Sequence, residues 1–140
     1  MKGFTLLEVL VFISIVTVLL GVASISFVNS SDKYRLQKAV WEIHAKLNYA
    51  RFKAVFSGTK SRVIFKPTGY TIEKYDQDRG DWKFDMGNIL EGVYIQANNT
   101  PMFHPQGTVS NLASITLSNS WGSYKITLAI SGRIKIEKLS

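Results

Sequence analysis

The sequence predicts an α+β chain, with one long helix over roughly the first 57 residues and antiparallel strands after it. Three observations lead there. Val9 to Val28 are twenty consecutive uncharged residues dominated by Val, Ile, Leu and Phe. Leu36, Val40, Ile43, Leu47, Ala50 and Ala54 recur at helical spacing, and beyond Gly58 the apolar period changes to two. A helix with an aliphatic stripe followed by a run of strands buries that stripe on a sheet face, which is the α+β arrangement. The 140 residues allow one modest domain plus an appendage. A hydrophobic fraction of 46% is far too high for disorder. The absence of cysteine excludes disulfides and thiolate metal sites, and two histidines leave little for a His-based centre, so neither a metal nor a cofactor is expected.

Charge is unevenly spread along the chain. The net charge of +7 arises from residues 32–56 (+4) and 92–140 (+3), whereas residues 1–31 hold only Lys2 and Glu8. At about 1.5 Å per residue, the uncharged run is long enough to span the roughly 30 Å hydrocarbon layer of a bilayer. A buried core helix would show a polar face, which this run lacks. An ordinary secretory signal is a rival, since Gly21-Val22-Ala23 offers small residues for cleavage. Glu8 argues against it. A carboxylate inside the membrane costs about 2.5–3.5 kcal/mol and calls for a partner, and nothing basic in this chain is placed to supply one.

Lys2-Gly3-Phe4-Thr5-Leu6-Leu7-Glu8-Val9-Leu10-Val11 resembles, without a gap, the type IV prepilin signal shared by type IV pilins and the pseudopilins of type II secretion. The resemblance implies that residues 1–3 are a leader, removed between Gly3 and Phe4 by a prepilin peptidase, and that Phe4 is then N-methylated. It implies that residues 4–28 are a transmembrane helix that becomes filament core, giving a single-pass inner-membrane protein with its domain in the periplasm. Other pilin or pseudopilin subunits are then the partners. It also supplies the counter-charge for Glu8. The new α-amino group on Phe4, with an ordinary pKa of about 7.7–8.0, is largely protonated near neutrality and can pair with the Glu8 carboxylate of a neighbouring subunit. The bases flanking the apolar run point the other way. Lys2 on one side against Lys33, Arg35, Lys38 and Lys46 on the other would put the domain in the cytoplasm by the positive-inside rule. The expectation follows the resemblance.

Residues 29–57 form the second, amphipathic half of the helix, with Asn29-Ser30-Ser31-Asp32 as either an interruption or an N-cap. The aliphatic stripe is expected to cover the sheet. On the opposite face lie Tyr34, Trp41, Ala45, Phe52 and Phe56, whose aromatic members are candidate contacts with other subunits. Arg35, Lys38, Lys46, Arg51 and Lys53 read as a solvated flank. His44 reads as structural, and Ser57-Gly58 ends the helix.

Residues 58–140 read as the antiparallel β domain. Strands are expected at 61–66, 70–75, 93–96, 114–118, 124–130 and 133–136, with a Pro67-Thr68-Gly69 hairpin loop and turns at Trp121-Gly122 and Ser131-Gly132. Phe103-His104-Pro105-Gln106-Gly107-Thr108 and Gly132-Arg133-Ile134 resemble segments of the GspH/FimT group of pilin-like proteins. Residues 76–100 resemble nothing identifiable. Their acidic cluster, Asp76, Asp78, Asp81 and Asp85, fails the calcium-loop pattern and reads as a solvated loop. No nucleophile elbow or phosphate loop is present, and the chain is not expected to be an enzyme. Lys125, Arg133, Lys135 and Lys138 could together hold DNA phosphates. Some FimT-like minor pilins use a Gly-Arg-x-Arg segment in that way, and Gly132-Arg133-Ile134-Lys135 is similar except for Lys at the last position. A minor pseudopilin or minor pilin is the first functional expectation, and a DNA-binding minor pilin of an uptake system the alternative.

Overall fold

A computed structural model of the chain describes residues 3–139, with the side chains of residues 23–30 left aside. One helix, α1, runs unbroken from Leu6 to Ser57, 52 residues or about 78 Å. It starts at Thr5, whose hydroxyl accepts a hydrogen bond from the Glu8 amide at 3.3 Å, and it stops at Gly58, which takes the left-handed conformation at φ 64°. Asn29-Ser30-Ser31-Asp32 neither breaks nor caps it. Asp32 turns its polar groups to the domain instead. Its carbonyl accepts from Asn119 Nδ2 at 2.8 Å, and its carboxylate accepts from the Ser120 hydroxyl.

Nine strands follow among the described residues: β1 Ser61–Lys66, β2 Gly69–Asp76, β3 Asp81–Ile89, β4 Tyr94–Ala97, β5 Met102–Phe103, β6 Val109–Ser110, β7 Ser114–Asn119, β8 Gly122–Leu128 and β9 Ile134–Leu139. They form two antiparallel sheets where one was expected. The first has the order β3-β2-β1-β5-β6, the second β4-β7-β8-β9. The hairpin β1–β2 turns on Pro67-Thr68 alone, since Gly69 already pairs with Lys66 inside β2. Gly69 is there for closeness: a Cβ on it would run into the Asn88 carbonyl of β3. Likewise Ser120-Trp121, one residue earlier than expected, turns β7 into β8.

The helix binds the two sheets into one core. Leu36, Val40, Ile43, Leu47, Ala50 and Ala54 are all buried, facing Val63, Ile72 and Phe103 of the first sheet and Ile115, Leu117, Ile126 and Leu128 of the second. Each large aliphatic side chain buried in this way contributes about 1.5–3 kcal/mol. Glu42, at the edge of the stripe, accepts hydrogen bonds from the Tyr70 hydroxyl at 2.9 Å and from Asn88 Nδ2 at 2.7 Å, joining α1 to β2 and β3. Burial, and then the Glu42 bond, push the Tyr70 hydroxyl above its ordinary pKa.

Residues 76–100, left largely unassigned by sequence, contain β3 and β4. The acidic cluster is spent on their geometry. Asp76 Oδ1 accepts from the Asp78 amide at 3.1 Å and the Arg79 amide at 3.4 Å, closing the β2–β3 turn. Asp85 lies within β3, where it bonds Tyr49 and Lys53 of the helix, both at 3.2 Å. Lys53 is therefore no free flank; its bonds to Tyr49 and then Asp85 raise its pKa.

Candidate functional site

Ahead of the helix, Gly3, Phe4 and Thr5 are non-helical, so the Gly3–Phe4 bond lies just outside the first hydrogen-bonded turn. Glu8 is the third helical residue. Its backbone is capped by Thr5, and its position in the first turn suits a negative charge beside the helix N-terminus. Phe4, Glu8 and Phe12 follow one another at spacings of four and line one groove with Val9. The Glu8 carboxylate is exposed and, among the described residues, has no hydrogen-bonding or ionic partner. Thr5-Leu6-Leu7-Glu8 also has the form of a capping box, a sign of this helix start that is legible in the sequence alone.

Among the described residues nothing covers the start of the helix. Phe4 and Leu6 are each 82% exposed, and Leu7, Leu10, Phe12, Val18 and Leu19 are also largely exposed. Leu6 to Ser31 amounts to about 39 Å of helix ahead of Asp32, whose bonds to the domain are the first among the described side chains. Among the described residues no helix is long and apolar enough to cross a membrane. The run on which that expectation stands, Val9–Val28, continues into residues 23–30, whose side chains lie outside the described ones, as does Lys2.

Farther along, the aromatic stripe is solvent-facing as a set. Tyr34, Trp41, Phe52 and Phe56 are exposed, Phe56 most of all at 80%. Phe52 stacks on Phe56 and Trp41 meets His44 edge-on, each with ring centroids 5.7 Å apart. His44 is thereby occupied by an aromatic contact, and no cluster of ligating side chains is found among the described residues.

Arg51 departs from expectation. It leaves the helix between the buried Ala50 and Ala54, and its Nε donates to the Gly107 carbonyl at 3.0 Å. Its guanidinium also lies over Gly132, where an added Cβ would stand 2.7 Å from the Arg51 Cζ. The two short C-terminal segments singled out by sequence, 103–108 and 132–134, are thus clamped together by a residue read as solvated flank. Its helical phase, four residues after Leu47, was the available sign. Gly132 has φ 83°, which a Cβ resists, and the guanidinium leaves no room. Gly132→Ala should cost about 1–3 kcal/mol of stability in a denaturant melt of the chain in detergent; an unchanged midpoint would show that the clamp yields freely.

The four basic residues proposed for DNA do not share a face. Ile134 and Ile136 point inward and Lys135 outward, so Lys138 leaves the strand on the face opposite Lys135, with its exposed ammonium over Trp121 at 4.3 Å. Lys135 is paired at 2.6 Å with Glu137, whose carboxyl that contact holds below the usual range, and Glu137 sits opposite Lys125 in the β8–β9 ladder. An acid therefore stands between Lys125 and Lys135. Arg133 is exposed at the β8–β9 turn.

A helix that projects far beyond a domain it also completes, with Glu8 in its capped first turn, is the arrangement to set beside known proteins. Residues 1–24 match the prokaryotic N-terminal methylation motif. The fold is that of the minor pseudopilin EpsH from the type 2 secretion system of Vibrio cholerae, with a TM-score of 0.64 at 13% identity over 74% of this chain and 97% of that one. It is also that of the type IV minor pilin FimU of Pseudomonas aeruginosa, with a TM-score of 0.61 at 20% identity over 75% and 90% of the two chains. No curated protein matches the chain.

Proposed function

We propose that the chain is a minor pseudopilin or minor pilin, a structural subunit of a type II secretion pseudopilus or a type IV pilus. Prepilin peptidase cuts between Gly3 and Phe4, and Phe4 is N-methylated. Residues 4–28 then hold the subunit in the bacterial inner membrane, with its domain in the periplasm, until the helix enters a filament among other subunits. The observation that carries this reading is the uncovered first half of α1. Apolar side chains exposed along about 25 Å of helix, from Leu6 to Val22, need a surrounding phase, and bilayer followed by neighbouring helices supplies one throughout. The work is mechanical: the chain contributes surface and register, with no chemistry of its own.

The exposed aromatic stripe gives the second contact. Tyr34, Trp41, Phe52 and Phe56 present rigid rings on a helix face turned away from the chain's own core, as interface anchors do. DNA capture is not adopted, because Glu137 divides the basic hairpin and Lys138 lies on the other face of β9 from Lys135, over Trp121. Trp41→Ser and Phe56→Ser should each leave the melting temperature within about 2 °C of the parent and lower recovery in sheared filaments about tenfold, the effect of losing one anchor. Normal recovery of both variants would take the stripe out of the interface.

A further inference from the structure

The helix enters the domain at Asp32, where aromatic, apolar and basic side chains gather at one end of the domain. Trp121, in the β7–β8 turn, is half-buried, with Lys138 Nζ 4.3 Å and Lys33 Nζ 5.5 Å from its ring centroid. The turn is fixed to the helix by the bonds from Asn119 and Ser120 to Asp32. Beside it, Ile89 and Tyr94 are 71% and 55% exposed and line one open cleft with Asp32 and Ser120. Arg35 and Lys38 border the adjoining rim together with Ile89 and Glu91. Cations outnumber acids here, and the Asp32 carboxylate is already engaged by Ser120.

An indole flanked by lysines, with apolar neighbours in the open, is suited to the layer between hydrocarbon and water, where the ring and the lysine stems lie in the apolar side and the ammonium groups in the polar side. The height agrees. Lys33 is five residues beyond Val28, the end of the uncharged run, or about 7.5 Å along the helix. The polar layer on each side of a bilayer is roughly 5–7 Å thick.

We propose that this end of the domain is a bilayer-docking surface, on which Trp121, Ile89 and Tyr94 rest in the interfacial layer while Lys33 and Lys138 hold anionic phospholipid headgroups before assembly. The proposal rests on the membrane-anchored reading given above. Lipid is the occupant because the surface is continuous with the helix which that reading places in the bilayer, and because its charge is complementary to anionic headgroups. Docking orients the subunit, and extraction into a filament has to break these contacts.

The chain has no cysteine, so single nitroxide labels can be introduced one at a time, at Val18→Cys, Gly122→Cys and Gln77→Cys. Gly122 follows Trp121, and a Cβ there meets open space. Gln77 lies in the β2–β3 turn, at the opposite end of the domain, by Lys53 and Thr59. The full chain is reconstituted in nanodiscs of phosphatidylcholine alone or with phosphatidylglycerol, and each label is probed with a headgroup-linked nickel chelate. With phosphatidylglycerol present, the Val18 label should lie in hydrocarbon, the Gly122 label at headgroup depth and the Gln77 label in water. Lys33→Gln and Lys138→Gln should each lower the docked-to-free ratio about fivefold, the weight of one lysine at an anionic surface. A Gly122 label as remote as the Gln77 label, with Val18 in hydrocarbon, overturns docking and leaves anchoring intact. Equal docking in both lipids overturns the assignment of Lys33 and Lys138 to anionic headgroups, and with it the proposal. A Val18 label in water overturns the membrane-anchored reading itself.

Discussion

Glu8→Ala leaves cleavage after Gly3 unaffected and removes nearly all of the subunit from filaments. The substitution does not disturb the helix start, because the cap uses the Thr5 hydroxyl and the residue 8 backbone amide, which alanine retains. What is lost is the carboxylate. In the single chain it is exposed and has no bonded partner among the described residues, so beyond a small favourable charge at the helix N-terminus the subunit loses no contact with it. In a packed filament the same group would be surrounded by apolar helices, and on the proposed processing the Phe4 ammonium of a neighbour would be its counter-charge. Removing one member of a buried ion pair costs about 3–5 kcal/mol, because the other is left desolvated and uncompensated. That is a factor of a hundred or more in the incorporation equilibrium. Glu8→Gln is the sharper variant, since it keeps shape and hydrogen bonding and removes only charge. It should fail as alanine does. Normal incorporation of the Gln variant would show that register does not come from charge pairing.

Phe103→Ala has the largest expected effect on folding. Phe103 is the largest fully buried side chain among the described residues, and it stands on β5, opposite Ser61 of β1 and Val109 of β6. Helix, first sheet and second sheet all meet in the core it fills. Truncation leaves a cavity that short, pinned strands cannot close, so a cost of about 3–5 kcal/mol is expected. Against a typical domain stability of about 5–15 kcal/mol, the variant would be partly unfolded near physiological temperature. Denaturant titration of the chain in detergent measures this. A loss below about 1 kcal/mol would mean that the core collapses around the site.

The helix was the most legible part of the fold. Its aliphatic positions from Leu36 to Ala54 all proved buried, because 3.6-residue periodicity reports directly which face meets the core. The hairpins β1–β2 and β7–β8 were also readable, since alternating residues and tight turns leave local marks. β3 was not. Its segment Asp81–Ile89 mixes Asp81, Lys83 and Asp85 with Trp82, Phe84 and Met86, and as an edge strand it has no clean buried face, so its pattern is blurred. Division into two sheets depends on long-range pairing of β4 with β7, which no local period encodes. At the candidate site, Gly3, Phe4 and Glu8 were found through a contiguous motif and the aromatic stripe through its phase on the helix. Arg51 was misread because a charged residue at the margin of a helix is usually solvated, whereas here the glycines at 107 and 132 open a space that its guanidinium fills. The polar run 29–32 was misread for a related reason. Short polar residues favour caps locally, but tertiary bonds from Asn119 and Ser120 hold Asp32 within the helix.

The retained helix is the claim on which the functional reading stands, and the mass of the mature polypeptide tests it most directly. Purified from cells that also contain prepilin peptidase, the chain should begin at an N-methylated Phe4 and continue through the whole apolar run into the domain. A polypeptide beginning at Ser24, the residue after Gly21-Val22-Ala23, would contradict it.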